Sequence, residues 1–291
     1  MFLNKGSIYK FFSLLTPPVL FLALKKSRIY PKMKIWADRH LKKDHHKPEW
    51  CKITGGLLFG YDIYIDPNGI WKDMISGSYD SFFFNYLERM DLDGKVILDI
   101  GAHVGYSSMC FAKLVGNKGH VYAFEPNVFN KKRFEYILSK NNDLEKIISI
   151  FDVAISDKEG EDDFVFSDNV DNGTSSGSFI DSSNTFFTKG TYEYGFNFKR
   201  VKTKTIPINL LPKIGIDHKP DLLKIDIEGA EHLALSGGKE FIKEHKPVLL
   251  IEIHSIFNML KCCQILSELN YGIELLKEES DGRCFIACKP Q

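Results

Sequence analysis

Hydrophobic and polar positions alternate along most of the chain in a regular order of short apolar runs and helical patterns. The apolar runs predict buried strands because they are short and end at glycine, proline or charged residues. They cover residues 95–100, 120–124, 147–155, 163–166, 198–206, 221–227, 247–253, 272–277 and 284–289. Helical spacing predicts helices at residues 105–115, 127–140, 209–214, 231–245 and 256–270. This order predicts an α/β fold with a mostly parallel sheet and helices on both faces.

Further elements are predicted at the beginning and the end of this pattern, and at one place where it is interrupted. Only residues 278–283 separate the last two strands, which predicts an antiparallel hairpin at one edge of the sheet. Residues 57–70 alternate and end in a Pro-Asn-Gly turn, so we expect a hairpin-like lead-in, followed by a short amphipathic helix at 81–90. Residues 167–194 are rich in Ser, Asn, Gly and Thr, which indicates either a substrate-facing loop or a plain insertion.

The N-terminal segment, residues 1–55, is basic and irregular and contains one apolar run, FFSLLTPPVLFLAL, at residues 11–24. This run is too short to span a bilayer, and Pro17 and Pro18 interrupt it. Three interpretations stay open: a membrane-interface anchor at residues 8–28, a segment packed on the protein, and a secretory signal peptide. The anchor would give peripheral contact with the cytoplasmic face of a membrane.

Charge and cysteine content narrow the functional classes. The chain has 38 Lys and Arg and 38 Asp and Glu, and this balance argues against a protein that binds nucleic acid by neutralising phosphates. Its six cysteines form no CxxC pair, which predicts reduced thiols in a cytoplasmic protein and argues against a zinc site.

The first predicted strand of the main pattern ends in the sequence VILDIGAHVG. Asp99, Gly101 and Gly105 therefore lie at the carboxyl end of a strand, where ligands of open parallel sheets bind. His103 takes the place of the middle glycine in a dinucleotide fingerprint, which favours a nucleoside cofactor without phosphates. The carboxylate of Asp99 suits the cationic amino group of S-adenosylmethionine.

The next two strand ends complete the predicted cofactor site. Glu125 and Pro126 close the second strand, and a carboxylate at that place can accept hydrogen bonds from both ribose hydroxyls. The third strand ends in DVAISD, so we expect Asp152 or Ala154 near the adenine.

Two later strand ends carry four titratable residues, Asp226, Glu228, Glu252 and His254. Residues at i and i+2 of a strand share a face, so these side chains converge if the two strands are neighbours. Buried carboxylates are costly unless they are paired or bind a cation. Either Asp226, Glu228 or His254 acts as a base on a hydroxyl acceptor, or Asp226 and Glu252 bind a divalent cation. A plain network of salt bridges is the remaining interpretation.

Together, the segments LDIGAHVGYSS, YAFEP, VAISD, LLKIDIEGAEHLALSGG and PVLLIEIH resemble the FkbM family of S-adenosylmethionine-dependent methyltransferases. The resemblance implies a Rossmann-like sheet of seven strands with an antiparallel last strand, in a domain at residues 94–291 behind a lead-in at 56–93. It implies O-methylation, often of sugars in polysaccharides, glycolipids or natural products. Carried over by motif, Asp99, Gly101 and Gly105 line the cofactor, Glu125 binds ribose, and the four residues at 226–254 face the reaction. His103 departs from the family, which more often has Asn there.

Two other functions stay open on the sequence. A nicotinamide-dependent oxidoreductase or epimerase needs a pyrophosphate loop, and the missing glycine at position 103 counts against it. A non-catalytic membrane-associated binding protein on the same scaffold is the other, and Asp226, Glu252 and His254 count against it. We therefore expect a methyltransferase that acts on a sugar or glycolipid at the cytoplasmic face of a membrane.

Overall fold

The computed structural model describes residues 47–69, 71–167, 178–180, 198–280 and 282–291. The predicted anchor at residues 8–28 lies outside the described residues, and so does most of the irregular segment at 167–194. Within the described ranges, every helix is too short or too polar to cross a bilayer.

The first described elements form a hairpin and two short helices. They are β1 (Glu49–Lys52), β2 (Asp62–Ile65), α1 (Lys72–Ser76) and α2 (Ser81–Leu87). β1 and β2 pair antiparallel, with Trp50 opposite Tyr64. A hairpin thus precedes the main domain, but the predicted range of 57–70 is wrong, because only β2 lies within it and its partner β1 comes before residue 57. The predicted boundary after residue 55 falls in the connection between the two paired strands.

Strands and helices then alternate as the pattern predicts. The first half contains β3 (Val96–Ile100), α3 (Tyr106–Val115), β4 (His120–Phe124), α4 (Val128–Leu138), α5 (Asn142–Glu145), β5 (Ile148–Phe151), β6 (Ala154–Ile155), β7 (Gly160–Ser167), β8 (Phe179–Ile180) and β9 (Phe198–Ile206). A 3₁₀ turn at Ile208–Ile214 follows. The second half contains β10 (Leu222–Ile225), α6 (Glu231–Gly237), α7 (Lys239–His245), β11 (Val248–Ile253), α8 (Ile256–Glu268), β12 (Tyr271–Glu278) and β13 (Cys284–Pro290).

Seven strands form the main sheet in the order β12-β13-β11-β10-β3-β4-β5. β13 is antiparallel to both of its neighbours, β11 and β12, and the other pairs are parallel. The predicted Rossmann-like sheet of seven strands with an antiparallel last strand is therefore confirmed. Apolar side chains cover both faces: α2, α3 and α4 pack on one face, and α6, α7 and α8 on the other. The parallel strands consequently have few polar positions outside their carboxyl ends.

Two predicted elements are divided in the structure. The run at 147–155 is interrupted at Asp152 and Val153, and its end, β6, joins a second sheet of four strands in the order β6-β9-β7-β8. The predicted single strand is thus wrong, because its two halves pair with different partners. The predicted helix at 231–245 is also wrong as a single unit, since it breaks into α6 and α7 at Gly238.

Candidate active site

A cavity of about 500 Å³ opens at the carboxyl ends of β3, β10 and β11, between the two sheets. Eight of the twelve predicted site residues line this cavity: Gly101, His103, Glu125, Pro126, Ala154, Asp226, Glu228 and Glu252. The other four, Asp99, Gly105, Asp152 and His254, are not among its lining residues. A parallel sheet exposes its strand ends on one edge, so the predicted convergence of these residues follows from the topology.

Gly101 allows the tight turn after β3. Its φ is +86°, and a Cβ at this position would lie 1.8 Å from the main-chain oxygen of Asp226. Only a residue without a side chain fits this contact, which brings the turn against the end of β10. Gly105 has a different role from the predicted one. A Cβ there would lie 2.0 Å from Cε2 of Phe134, so this glycine makes room for the Phe134 ring of α4 and not for a ligand.

Glu125 is buried, and main-chain amides fix its carboxylate. Its Oε2 accepts a hydrogen bond from the His103 amide at 2.8 Å, and its Oε1 accepts one from the Asn127 amide at 2.8 Å. Burial raises the pKa of Glu125 to about 7, against the opposing effect of these two amides. Oε1 also accepts a hydrogen bond from Asn130 Nδ2 at 3.4 Å, so Oε2 is the oxygen that keeps a lone pair for a ribose hydroxyl.

His103 lies opposite Glu125 in the turn, with φ at +53°. Its ring centroid is 5.0 Å from that of Trp71, and burial lowers the pKa of its imidazole to about 4. The imidazole is therefore neutral at neutral pH. Its Nε2 is buried and finds no hydrogen-bond partner among the described residues, so a polar ligand group in the cavity would satisfy it.

Asp99 lies beneath the cavity wall and not on it. Its exposure is 0%, and its Oδ2 accepts a hydrogen bond from Ser108 Oγ at 2.5 Å. Its Oδ1 lies 3.3 Å from Lys224 Nζ, which also lies 3.2 Å from Asp226 Oδ2. The predicted direct contact between Asp99 and a cofactor amino group does not agree with this placement. Lys224 separates the two carboxylates, and Asp226 is the one that reaches the cavity.

The ends of β10 and β11 form a dense cluster of charges around His254. His254 Nδ1 lies 2.8 Å from Glu231 Oε1. Its Nε2 lies 3.4 Å from Glu228 Oε2, 3.5 Å from Glu252 Oε1 and 3.8 Å from Asp226 Oδ1. Burial disfavours the charged imidazole, but Glu231, Glu228 and Asp226 outweigh it and hold the pKa of His254 well above its usual value. His254 is therefore a cation at neutral pH, and the prediction that it acts as a base conflicts with this charge state.

The two carboxylates on either side of His254 have opposite pKa shifts. Burial alone would raise the pKa of Asp226, but Lys224 and His254 hold it below its usual value. Burial and the neighbouring Asp226 raise the pKa of Glu252 to about 8, although Arg283 Nη1 lies 2.9 Å from Glu252 Oε1. Of these two carboxylates, Asp226 is thus the one that is ionised at neutral pH.

The structure adds cavity residues that sequence reasoning missed. Trp71, Tyr79 and Asp80 come from the segment around α1 and α2, and Glu279, Arg283 and Phe285 come from the hairpin of β12 and β13. Both segments are distant along the chain from the motifs quoted above. No local pattern points to them, since only the tertiary packing of α2 brings them to the sheet edge.

These residues suit S-adenosylmethionine in charge and in hydrogen bonding. The carboxylates of Asp226 and Glu228 suit a ligand with a sulfonium and an ammonium group, and they would repel a pyrophosphate. Gly101 lets the turn pack against the end of β10 beside the cavity, and the amides of His103 and Asn127 hold Glu125 ready for ribose. Of the two residues expected near the adenine, Ala154 lines the cavity beside Val153, whereas Asp152 is exposed and is not among the lining residues.

Sequence comparison identifies the domain directly. The family model of the methyltransferase FkbM domain matches residues 99–273, which is more than half of the 291-residue chain. No sequence among the curated proteins matches the chain significantly.

Several solved methyltransferases have a similar fold. The FkbM methyltransferase of Methylobacillus flagellatus is 22% identical, with a TM-score of 0.46 over 66% of this chain and 43% of that one. The SAM-dependent O-methyltransferase of Thermotoga maritima is 14% identical, with a TM-score of 0.43 over 75% of this chain and 64% of that one. The precorrin-6y C5,15-methyltransferase of Geobacter metallireducens is 13% identical, with a TM-score of 0.42 over 76% and 92%. This chain thus spans less than half of the length of the Methylobacillus protein.

Proposed function

Because the chain belongs to the FkbM family of S-adenosylmethionine-dependent methyltransferases, we propose that it transfers a methyl group to a hydroxyl of a sugar in a polysaccharide, glycolipid or natural product. Membership of this family argues against the two alternatives left open by the sequence, a nicotinamide-dependent enzyme and a non-catalytic binding protein. The observation that carries the proposal is the cavity itself, which combines the predicted cofactor residues with a second group of carboxylates and aromatic rings.

The cofactor, when bound, supplies an activated methyl group on a positively charged sulfur. The residues of this chain bind and orient it. Glu125 accepts a hydrogen bond from the ribose, Gly101 lets the turn that carries His103 pack against the end of β10, and Asp226 attracts the positive charge. Lys224 keeps Asp226 in position between β10 and β3, since it bonds the Gly101 carbonyl at 2.8 Å as well as both aspartates.

The sugar acceptor is supported by the remaining lining of the cavity. Trp71 and Tyr79 present aromatic rings 5.7 Å apart, and aromatic faces pack against the apolar faces of sugar rings. Several carboxylates beside them are acceptors for hydroxyl groups.

Transfer of radiolabelled methyl groups tests this proposal. The purified full-length protein would be incubated with labelled S-adenosylmethionine and a panel of oligosaccharides, glycolipids, catechols and carboxylic acids. We expect label in the sugars, and loss of that label with Glu125→Ala. Label confined to catechols or carboxylic acids would contradict a sugar acceptor while leaving the methyltransferase activity intact.

A divalent cation is a further proposal for the same cavity. Asp226, Glu252 and His254 each offer a ligand atom, and these atoms lie within 4.8 Å of one another. Carboxylate oxygens are the ligands that Mg²⁺ and Mn²⁺ prefer, and a bound cation would displace the proton of His254. Calorimetric titration with Mn²⁺ is expected to show binding that Glu252→Gln removes. Methyl transfer that is unaffected by a strong chelator would contradict a catalytic role for the cation.

We also propose that residues 8–28 contact a membrane peripherally. The protein would then be cytoplasmic and would bind a glycolipid acceptor at the membrane surface. The apolar run between basic residues is the observation behind it. Flotation with vesicles of phosphatidylcholine and phosphatidylglycerol measures it. Binding should fall with the pair Leu14→Asp and Phe21→Asp, and binding that persists in that variant would refute the anchor.

A further inference from the structure

The cavity extends beyond the part of the chain that matches the family. Residues 99–273 supply its cofactor residues, but six lining residues lie outside that range. We call these six residues the flanking wall: Trp71, Tyr79, Asp80, Glu279, Arg283 and Phe285. They precede and follow the matched domain, so family membership says nothing about their role.

Aromatic packing joins the two halves of the flanking wall. The ring centroids of Phe82 and Phe285 are 4.8 Å apart, and those of Phe83 and Phe285 are 5.6 Å apart. Lys277 Nζ lies 5.0 Å from the Phe82 ring centroid and 2.6 Å from Glu279 Oε1. The start of α2 is thereby held against the last strand, and Asp80 immediately precedes α2.

Asp80 differs from the other carboxylates of the cavity in its contacts. Each of the others has a partner. Glu125 accepts hydrogen bonds from the amides of His103 and Asn127, and the remaining four form ion pairs: Asp226 with Lys224, Glu228 with His254, Glu252 with Arg283, and Glu279 with Lys277. Within the described part of the chain, no hydrogen bond or ion pair reaches the Asp80 side chain. An unpaired carboxylate that is largely buried is costly, which points to a partner that comes from the ligand.

The backbone of Asp80 is held in an unfavourable conformation. Its φ of 48° and ψ of 31° lie in the left-handed region, which non-glycine residues rarely adopt. Its carbonyl accepts the Phe83 amide at 2.9 Å, so the beginning of α2 fixes this conformation. Such conformations persist where the surrounding structure enforces them, and they are frequent at functional sites.

We propose that Asp80 is the base that takes the proton from the acceptor hydroxyl during methyl transfer. This inference rests on the proposed function for the nature of the acceptor, a hydroxyl group, but not on the acceptor being a sugar. Asp80 would contact the reacting hydroxyl directly, while Asp226, Glu252 and His254 shape the charge around it.

The step balances with the groups present. The acceptor oxygen forms a bond to the methyl carbon, and the carbon–sulfur bond breaks with its electron pair remaining on sulfur. The hydroxyl proton passes to a carboxylate oxygen of Asp80 and then to solvent. The products are a methyl ether and the neutral thioether, S-adenosylhomocysteine.

The electrostatic surroundings agree with this role. Burial and Asp226 raise the pKa of Asp80 to about 6, and Lys224 and Lys277 oppose them, while Glu279 adds to the rise. The hydroxyl of Tyr79 stays protonated, because burial and the neighbouring carboxylates raise its pKa well above the usual value. Asp80 is therefore ionised at neutral pH and yet more basic than an exposed aspartate, which is the range that suits a general base.

The first test needs no acceptor. Carboxyl-¹³C aspartate would be incorporated into the protein, and the signal that disappears in Asp80→Asn would be assigned to Asp80 and titrated. A midpoint near the pKa of about 6 supports the proposal. A midpoint at or below about 4, the ordinary range of aspartate, overturns it, because such a carboxylate is a weak base.

The second test uses whichever alcohol the methyl-transfer panel identifies, sugar or not. Asp80→Asn should lower kcat by about 100-fold or more and remove the fall in kcat below about pH 6, with the Kd of S-adenosylmethionine changed by less than about two-fold. Asp80→Glu should restore part of the activity, and Asp73→Asn, at an exposed position on α1, is the matched control. A loss of less than about three-fold in Asp80→Asn overturns the proposal. Methylation of a non-sugar alcohol with the same loss would refute the sugar acceptor and retain the base.

Discussion

His254 Nδ1 and Glu231 Oε1 lie 2.8 Å apart, at the end of β11 and in the first turn of α6. Glu231 is fully buried, and its Oε1 also accepts a hydrogen bond from the Gly229 amide at 2.9 Å. Asn258 of α8 donates a hydrogen bond to the other oxygen, Oε2. This contact fixes the orientation of the imidazole and directs Nε2 toward the carboxylates of the cavity. Sequence reasoning treated Glu231 as the start of a helix, and the structure shows it as the counter-ion of His254.

The charge of His254 predicts a pH dependence of stability. Its pKa in the folded protein is raised above the usual 6.5, so its stabilising effect is fully present below about pH 6.5 and is lost as the pH rises through the folded-state pKa. His254→Gln should therefore lower the free energy of unfolding more at about pH 6 than at about pH 9. Urea denaturation of both proteins measures the difference, with His245→Gln on α7 as the control. A deficit that does not change with pH would show that His254 is neutral.

The buried ion pairs of Lys224 predict that a single substitution there lowers the free energy of unfolding strongly. Lys224→Met leaves Asp99 and Asp226 without their shared cation, and loss of one partner of a buried ion pair costs about 3–5 kcal/mol. The matched control is Lys239→Met, which removes an ion pair to Glu268 on the surface, where solvent screens the charges, and it should cost much less. Urea denaturation at neutral pH compares them. Equal losses in the two variants would mean that the buried pair contributes no more than the exposed one.

Gly101 allows the effect of a close contact to be separated from that of backbone conformation. Gly101→Ala and Gly215→Ala both place an alanine at a positive φ, +86° and +84°, but only the first meets another atom within 4 Å. We expect about 1–2 kcal/mol of destabilisation from Gly215→Ala, and about 1–3 kcal/mol more from Gly101→Ala. Thermal and urea unfolding measure both. A similar loss in both variants would indicate that β10 moves aside at little cost.

The place of Glu125 in the cavity predicts that it contributes to the affinity for S-adenosylmethionine and makes that affinity depend on pH. Glu125→Ala should weaken S-adenosylmethionine binding by about 10- to 150-fold, which corresponds to hydrogen bonds of about 1.5–3 kcal/mol to a charged group. Because the pKa of Glu125 is raised to about 7, affinity should fall as the pH drops below 7, when the carboxylate becomes protonated. Isothermal titration measures this, with Glu135→Ala on the exposed side of α4 as the control. In Glu125→Gln the affinity for S-adenosylmethionine should no longer change with pH around 7. If the change persists in this variant, another titrating group causes it.

The sequence predicts the main sheet well because its strands are specified locally. The runs at 120–124 and 198–206 agree with β4 and β9 to the residue, since an apolar or β-branched run bounded by turn residues or charges fits one conformation. The second sheet was not predicted. β7 and β9 pair across an intervening segment of the chain, and a local pattern does not reveal which strand will be a partner.

The site residues likewise fall into those that the local sequence predicts and those whose position depends on tertiary packing. Glu125, Asp226 and Glu252 could be predicted because each ends a buried strand, where a polar residue has no structural reason to be. Asp99 also ends such a strand, but its position beneath the wall depends on Lys224 of the neighbouring strand. Asp80 precedes a short helix and has the pattern of a plain helix start, so its place in the cavity depends on the packing of Phe82 against Phe285.

The position of β13 has a consequence for the synthesis of the protein. The last strand lies in the interior of the sheet, between β11 and β12, and Phe285 at its start supports the segment that holds Asp80. Domains begin to fold while the chain is still emerging from the ribosome. Until residues 284–290 have emerged, β11 presents an open edge and the acceptor side of the cavity lacks its support. A nascent chain can therefore build its cofactor pocket early, but the side of the cavity that holds Asp80 is supported only once β13 has emerged.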